Sequence, residues 1–239
     1  MKSPPQGIPV DQTPHACPYL EGREAVLPLR WYRGPIDGDD FDALLACSDR
    51  RVGRTLYRPS CPSCDECKGI RVPIAEFQPS RSQRRTWKKN LDVQVYSGYP
   101  VVDSSRLDLF NKHKLQRGLS EQPTSEAHYR NWLSVTCTRT IETRYVVDGR
   151  LIGIGILDMG RRDASSVYFY FDPEEDKRSL GVFSVLAEID WLRRQGYRNY
   201  YLGLYVKDCA QLNYKSKYMP NERLERGQWV RYPSQDVTV

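Results

Sequence analysis

Three cysteines at two-residue intervals, Cys61-Pro62-Ser63-Cys64-Asp65-Glu66-Cys67, form the densest chemical signal in the chain and run into Lys68-Gly69-Ile70-Arg71-Val72-Pro73. Thiols at this spacing are what a tetrahedral zinc or an iron–sulfur cluster demands, and Cys17 is the candidate fourth ligand. The plain alternative is a reduced, close-packed loop with no metal. Soon after comes Arg81-Ser82-Gln83-Arg84-Arg85-Thr86-Trp87-Lys88-Lys89, five cations with no acid. Arginines interleaved with serine, glutamine and tryptophan suit a nucleic-acid backbone and its bases. Arg81, Arg84 and Arg85 are the candidate contacts, and a solvated strand-to-loop surface is the alternative.

The second half holds two further constellations. Asp172-Pro173 closes a strand-like run, and Arg178-Ser179-Leu180-Gly181-Val182 opens a helix. Free N–H groups and the helix dipole at such a start can hold an anion, so Arg178, Ser179 and Gly181 are candidate substrate contacts. The stretch resembles the acyltransferase loop [QR]-x-x-G-x-[GA], which cradles a cofactor pyrophosphate. It departs at Phe183, which counts against coenzyme A. The other constellation joins Tyr200-Tyr201-Leu202-Gly203-Leu204-Tyr205-Val206-Lys207 to Asn213-Tyr214-Lys215-Ser216-Lys217-Tyr218. Lys207 and Lys215 can bind a phosphate or an acidic side chain. Tyrosines can stack on a base or donate to an oxyanion, or simply cover a sheet edge. Asn213, Tyr214 and Tyr218 complete the candidate binding set, and Asp172, Tyr168 and Tyr205 are the candidate catalytic residues.

Other chemistries lose ground. The chain has no H-E-x-x-H, P-loop or G-x-S-x-G, and only three histidines. Nothing resembles an ATP site, so a group-transfer enzyme here needs a donor that arrives activated. At 239 residues, 39% hydrophobic and 28% charged, the chain is globular, long enough for one large domain or two small ones. It has no apolar run of membrane-spanning length and no signal-peptide core at its start, which makes the cytoplasm the expected location. Seven cysteines there argue against a disulfide framework; Cys47, Cys137 and Cys209 read as isolated core residues.

The elements that must position these residues are partly readable. Helices are expected at Asp39–Cys47, at 104–118 with Ser104 or Ser105 as cap and Leu115 on the apolar side, at Glu126–Val135, from Ser179 to about Gln195, and at Ala210–Lys217. Strands are expected at 70–74, within 91–103, at 142–148 and 151–159 around the Asp148-Gly149 turn, at 165–171 and at 198–205. A strand–helix–strand crossover beside an antiparallel hairpin gives a mixed sheet, α/β or α+β. The expected division is a tail at 1–15, a cysteine-bearing region at 16–90 and a transferase domain at 91–232.

The motifs resemble one family in collinear order: Cys17-Pro18-Tyr19-Leu20, Tyr57-Arg58-Pro59 with the cysteine triplet, Ile70–Pro73, Phe77-x-Pro79-Ser80-Arg81, Phe171-Asp172-Pro173, Arg178–Gly181, Tyr201-Leu202-Gly203, Asn213-Tyr214-Lys215 and Tyr218-x-Pro220. This is similar to the aminoacyl-tRNA–protein transferases, most of all their bacterial branch. The resemblance implies a GNAT-like acyltransferase domain and transfer of leucine, or arginine as in the related branch, from charged tRNA to proteins beginning with Asp or Glu, marking them for N-degron breakdown. It implies no membrane or DNA partner, and the chemistry requires no cofactor, with zinc or an iron–sulfur cluster left open. Two rivals share these residues: a coenzyme-A-dependent N-acetyltransferase of the same fold, and a non-catalytic, metal-stabilised RNA-binding module.

Overall fold

The computed structural model describes residues 3–233. The N-terminal part contains β1 (Ile8–Asp11), the short ribbon β2 (His15–Ala16) and β3 (Glu24–Ala25), β4 (Leu29–Trp31), α1 (Gly38–Ala46), β5 (Arg50–Val52) and β6 (Thr55–Tyr57). Four of these strands make a small antiparallel sheet in the order β1-β4-β6-β5. The remainder comprises β7 (Lys68–Pro73), α2 (Arg81–Lys89), β8 (Gln94–Gly98), α3 (Ser104–Gln116), α4 (Glu126–Tyr129), β9 (Thr140–Val147), β10 (Arg150–Met159), β11 (Asp163–Phe171), α5 (Leu180–Arg194), β12 (Asn199–Tyr205), α6 (Ala210–Asn213), β13 (Asn221–Glu225) and β14 (Gln228–Tyr232).

Eight strands form the main sheet in the order β14-β13-β7-β12-β11-β10-β9-β8. Every neighbouring pair is antiparallel except β11 and β12, which α5 connects as a crossover. The sheet is mixed, as the element order requires. β7, which precedes the division expected at residue 90, lies inside the main sheet, between β12 and β13. A six-residue strand reading Lys-Gly-Ile-Arg-Val-Pro has two faces to bury, and only a central place in a covered sheet does so.

α5 and α2 cover one face of the sheet. Ile70, Val72, Leu157, Ala164, Leu186, Ile189 and Tyr200 form its centre, and Trp87 of α2 rests on Phe183 at 5.6 Å. On the other face α3 places Phe110 against Tyr170, Tyr129 and Trp132, while α1 buries Phe41, Leu44 and Leu45 beside Tyr201.

Local chemistry explains most element ends. Asp148 (φ 48°) and Gly149 (φ 76°) both take the left-handed conformation that a two-residue hairpin turn needs. α3 is capped by Asp103, whose carboxylate accepts from Arg106 N, not by Ser104 or Ser105; Leu115 is 39% exposed and lies off the apolar side. The helix expected over Glu126–Val135 is a single α-turn that widens to π-type bonding at Arg130–Ser134. The basic run is a helix rather than a strand-to-loop surface. Ser80 Oγ accepts from Gln83 N while the Gln83 amide oxygen accepts from Ser80 N, a complete capping box.

One ion pair fastens the small sheet to the large one. Arg51 Nε of β5 donates to Asp158 Oδ2 of β10 at 2.6 Å, with both side chains essentially buried. The same guanidinium donates to the carbonyls of Gly53 and Trp132, and Thr140 Oγ1 donates to Asp158 Oδ1. Arg51→Met should strand Asp158 in the interior and lower unfolding free energy by about 3–5 kcal/mol in urea titrations. A loss under about 1 kcal/mol would show that the junction is held by apolar contacts alone.

Candidate active site

β11 and β12 are paired over three residues only, Asp163–Ser165 against Asn199–Tyr201. Beyond these the strands part, β11 staying with β10 to Phe171 and β12 with β7 to Tyr205. Each strand carries an extra residue where they part, Val167 in one and Leu202 in the other. Bulges of this kind re-aim side chains and end pairing, and here they open a cleft in the middle of the sheet.

A cation answers each edge of that cleft. Arg50 Nη2, from β5, donates to the carbonyl of Ser166 at 3.1 Å. Lys215 Nζ donates to the carbonyl of Leu204 at 2.8 Å. Arg50 Nη1 is buried and has no hydrogen-bond partner. The guanidinium lies so close over Gly203 that a Cβ there would fall 1.7 Å from Nη1, and Gly203 also has φ 92°. Only glycine satisfies both conditions. Burial, and then the positive charge of Arg50, lower the Lys215 ammonium to about 7.

Below the cleft, on the α5 side, sits Glu188. Its carboxylate accepts from Tyr200 Oη, from Tyr145 Oη at 3.3 Å and from Thr143 Oγ1 at 3.2 Å. Burial pushes it up to about 7, against the lowering effect of these three hydroxyls. The Tyr200 hydroxyl also meets the Ser166 side chain. Gly155 leaves room for this group, since a Cβ there would lie 2.4 Å from Glu188 Oε1.

α2 borders the same region. Gln83 Nε2 donates to the carbonyl of Lys217 at 3.2 Å, tying the helix to the turn that carries Lys215. Arg81, Arg84, Arg85, Lys88 and Lys89 are all exposed on it. Tyr214, 42% exposed, feels both Arg50 and Glu188, and Tyr218 is buried nearby with its hydroxyl unpartnered. Asn213 Nδ2 donates to the carbonyl of the exposed Lys207 at 3.2 Å and so shapes the turn.

Other expected residues lie elsewhere or are engaged. Arg178 donates twice to Asp92, at 2.9 and 2.8 Å, and through Nε to Glu175 at 2.7 Å. Asp92 and Glu175 thus already engage the cation of the anion seat expected at Arg178, Ser179 and Gly181. Ser179 is left-handed (φ 55°) and makes no side-chain cap. Asp172 is nearly buried and receives Lys112 Nζ at 2.8 Å and Arg150 Nη1 at 2.9 Å. Burial alone would raise its carboxyl, but these cations and the Glu174 N–H outweigh it and lower it. It caps the turn at Pro173–Arg178 and is not a free base. Tyr168 packs between Trp132 and Phe110 on the α3 side, away from α5. Tyr205 lies beneath the Arg223 guanidinium at 4.2 Å. The buried histidine, His113, is pinned to the backbone of Phe171 and lowered by burial to about 4, so it is neutral.

The cysteine loop stands behind Arg50. Cys17, Cys61 and Cys64 lie near enough to Cys67 that their charges, after burial, help to push its thiol up to about 12. Arg50 and Cys67 both act on the Tyr19 hydroxyl. Yet the sulfurs face protein partners: Cys61 Sγ accepts from Val26 N at 3.4 Å, and Cys64 Sγ accepts from Arg23 Nη1 at 3.2 Å. Among the described residues no set of three His, Cys, Asp or Glu side chains is arranged to hold a metal ion. No chemical step is derived through a metal.

Sequence reasoning missed Arg50, Ser166 and Glu188. Glu188 did leave a signal: it is an acid on the apolar side of α5, four residues after buried Ser184 and flanked by Ala187 and Ile189. Arg50 left none, because its cleft is made by strands more than a hundred residues away.

A mixed sheet split between two parallel strands that a helix connects is a GNAT-like architecture. The fold aligns with the C-terminal domain of a protein described as a lysylphosphatidylglycerol synthetase from Agrobacterium fabrum. The TM-score is 0.53 at 11% identity, covering 83% of this chain and 64% of that one. Residues 15–85 match the N-terminal model, and residues 105–225 the C-terminal model, of arginine-tRNA-protein transferase. Aspartate/glutamate leucyltransferases are similar along nearly the whole length. That of Saccharophagus degradans is 36% identical over 92% of this chain and 94% of its own. That of Pseudomonas fluorescens is 34% identical over 91% and 93%. The chain belongs to the aminoacyl-tRNA–protein transferase family; it is an aminoacyltransferase with a charged tRNA as donor and a protein as acceptor.

Gly203→Ala should displace the Arg50 guanidinium and lower kcat/KM for transfer by about 10–100-fold, the size expected when a charged hydrogen bond is lost. A folded Gly203→Ala protein with unchanged kinetics would separate Arg50 from the reaction.

Proposed function

We propose that this enzyme moves leucine from leucyl-tRNA to the α-amine of proteins that begin with Asp or Glu, working in the cytoplasm and marking those proteins for breakdown. The observation that carries this reading is the likeness, over nine-tenths of the chain, to relatives named for that transfer. The cleft supplies a physical rationale. An aminoacyl ester is already activated, so no nucleotide is hydrolysed. The acceptor α-amine has an ordinary pKa of about 7.7–8.0 and is partly neutral near pH 7.5. Orientation and a modest proton acceptor are then enough.

In this reading the tRNA acceptor stem lies along the exposed cations of α2, and its aminoacylated 3′ end enters between β11 and β12. Lys215, with Arg50 beside it, meets the acidic first side chain of the acceptor. An incoming carboxylate would restore the proton that burial and Arg50 tend to remove from Lys215. The transfer chemistry itself requires no metal or cofactor. No helix among the described residues is long and apolar enough to cross a membrane, in keeping with a cytoplasmic role.

Purified protein should transfer radiolabelled leucine from leucyl-tRNA to a peptide beginning with Asp and not to one beginning with Ala. Transfer from arginyl-tRNA instead would move the chain to the other donor, and no transfer from either would overturn the reading. Neutralising Arg84 and Arg85 together should weaken tRNA binding and reduce the slope of log K against log salt by about 2. Lys215→Met should instead raise KM for the Asp peptide and leave tRNA affinity in place.

A further inference from the structure

Glu188 has no role in substrate binding as described above, and its surroundings are unusual. It is a carboxylate 3% exposed, with three hydroxyl donors and no cation bonded to it. A buried acid held only for structure is ordinarily paired with a cation, as Asp158 is with Arg51 and Glu142 is with Arg106 at 2.7 Å. Glu188 is instead connected to the cleft. Its Oε2 accepts from the Tyr200 hydroxyl, and that hydroxyl meets the Ser166 side chain. Ser166 is half-buried at the point where β11 and β12 part, with its own carbonyl fixed by Arg50.

We propose that Ser166, Tyr200 and Glu188 form a proton relay that takes the proton released by the acceptor amine and returns it to the leaving tRNA. The proposal rests on the aminoacyl transfer described above. The amine nitrogen attacks the ester carbonyl carbon and the new C–N bond forms. As it does, the nitrogen gives a proton to Ser166 Oγ, Ser166 gives its own to Tyr200 Oη, and Tyr200 gives its own to Glu188 Oε2. The C–O bond to the ribose then breaks, its electron pair stays on the ribose oxygen, and the relay runs backward to make the hydroxyl. One proton leaves the nitrogen, one reaches the oxygen, and the enzyme ends unchanged. Glu188 touches no reacting atom. It is a positioning residue that acts through two hydroxyls, and the aliphatic and aromatic side chains around it keep water from short-circuiting the path.

The groups that face Glu188 are Thr143 and Tyr145 of β9 and Tyr200 of β12, with Tyr214 and Tyr218 of the turn after α6 within electrostatic range. All are neutral near pH 7. With its carboxyl raised to about 7, Glu188 is protonated and unable to accept below that pH, and ionised and able to accept above it. The rate should therefore rise through pH 7 as well as through the titration of the acceptor amine.

The test follows leucine transfer to an Asp peptide from pH 5.5 to 9, with thermal unfolding of each variant as control. Glu188→Gln should lower kcat by about 10²–10⁴-fold, the range for loss of a proton acceptor, and remove the limb near pH 7, leaving the tRNA Kd unchanged. Tyr200→Phe, which cuts the path but leaves Thr143 and Tyr145 on the carboxylate, should lower kcat similarly. Thr143→Val removes a donor outside the path: it should keep the wild-type kcat on the high-pH plateau but move the limb to higher pH, because that hydroxyl lowers the Glu188 carboxyl. Wild-type kcat and pH profile in folded Glu188→Gln would overturn the relay; if that variant does not fold, an unchanged Tyr200→Phe would do the same. Absence of transfer by the wild-type protein would sink the transferase reading, whereas active wild type with an unaffected variant sinks only the relay.

Discussion

The parting of β11 from β12 is the feature on which the rest of the molecule depends. A sheet is stable when each carbonyl and each N–H finds a partner. Splitting one in its middle leaves polar backbone edges facing each other across a gap that lies over a hydrophobic core. Two cations meet this demand, Arg50 at Ser166 and Lys215 at Leu204. Both come from outside the split strands, so the cleft exists only where the small N-terminal sheet and the turn after α6 are docked. Structure and reactivity therefore share the same groups: the charges that hold the gap open also line it.

This explains why the cysteine-bearing region is not a detachable accessory. β5 presents two consecutive arginines in opposite directions, as alternation along a strand dictates. Arg51 anchors the strand on Asp158, and Arg50 reaches the cleft. The residue before them, Asp49, is buried and holds Arg30 and Arg58, the latter at 2.9 Å. Three consecutive charged residues, Asp49 just before β5 and Arg50 and Arg51 within it, thus make three different connections. Tyr19 lies within electrostatic reach of both Arg50 and Cys67 of the cysteine loop, and β7, which follows that loop directly, enters the main sheet beside β12.

How far the sequence could be read follows from how local each signal is. The Asp148-Gly149 hairpin, the α5 stripe and the β11 and β12 runs announce themselves within a few residues. The place of β7 between β12 and β13 does not, because its partners lie about 130 and 150 residues further along the chain. Arg178 illustrates the same limit: the sequence shows a cation at a helix start but not that Asp92 already occupies it. α2 carries one legible sign, the Ser80-x-x-Gln83 capping box, but a run of five cations around a single large apolar residue, Trp87, has no apolar stripe to mark the helical period. Arg50 could be found only in three dimensions, since nothing in its neighbours points to a cleft built by residues 166 and 203.

Glu188 carries a cost that bears on why it is there. Its carboxyl is raised from an ordinary value of 4.5 to about 7 in the folded protein. Between those values the folded chain binds the proton that the unfolded chain has lost, so stability falls as pH rises through this window. At pH 7 and above the penalty is about 3 kcal/mol, a sizeable share of the 5–15 kcal/mol that a folded domain typically has. A glutamine in the same place could keep hydrogen bonds to the three hydroxyls without that penalty, and a leucine would suit the neighbouring apolar side chains. Neither could take up a proton near neutral pH. A buried carboxylate that weakens the fold in the range where an amine acceptor becomes reactive is accounted for by what it can accept, and the hydroxyls of Tyr200 and Ser166 give it a path to the place where the proton is released.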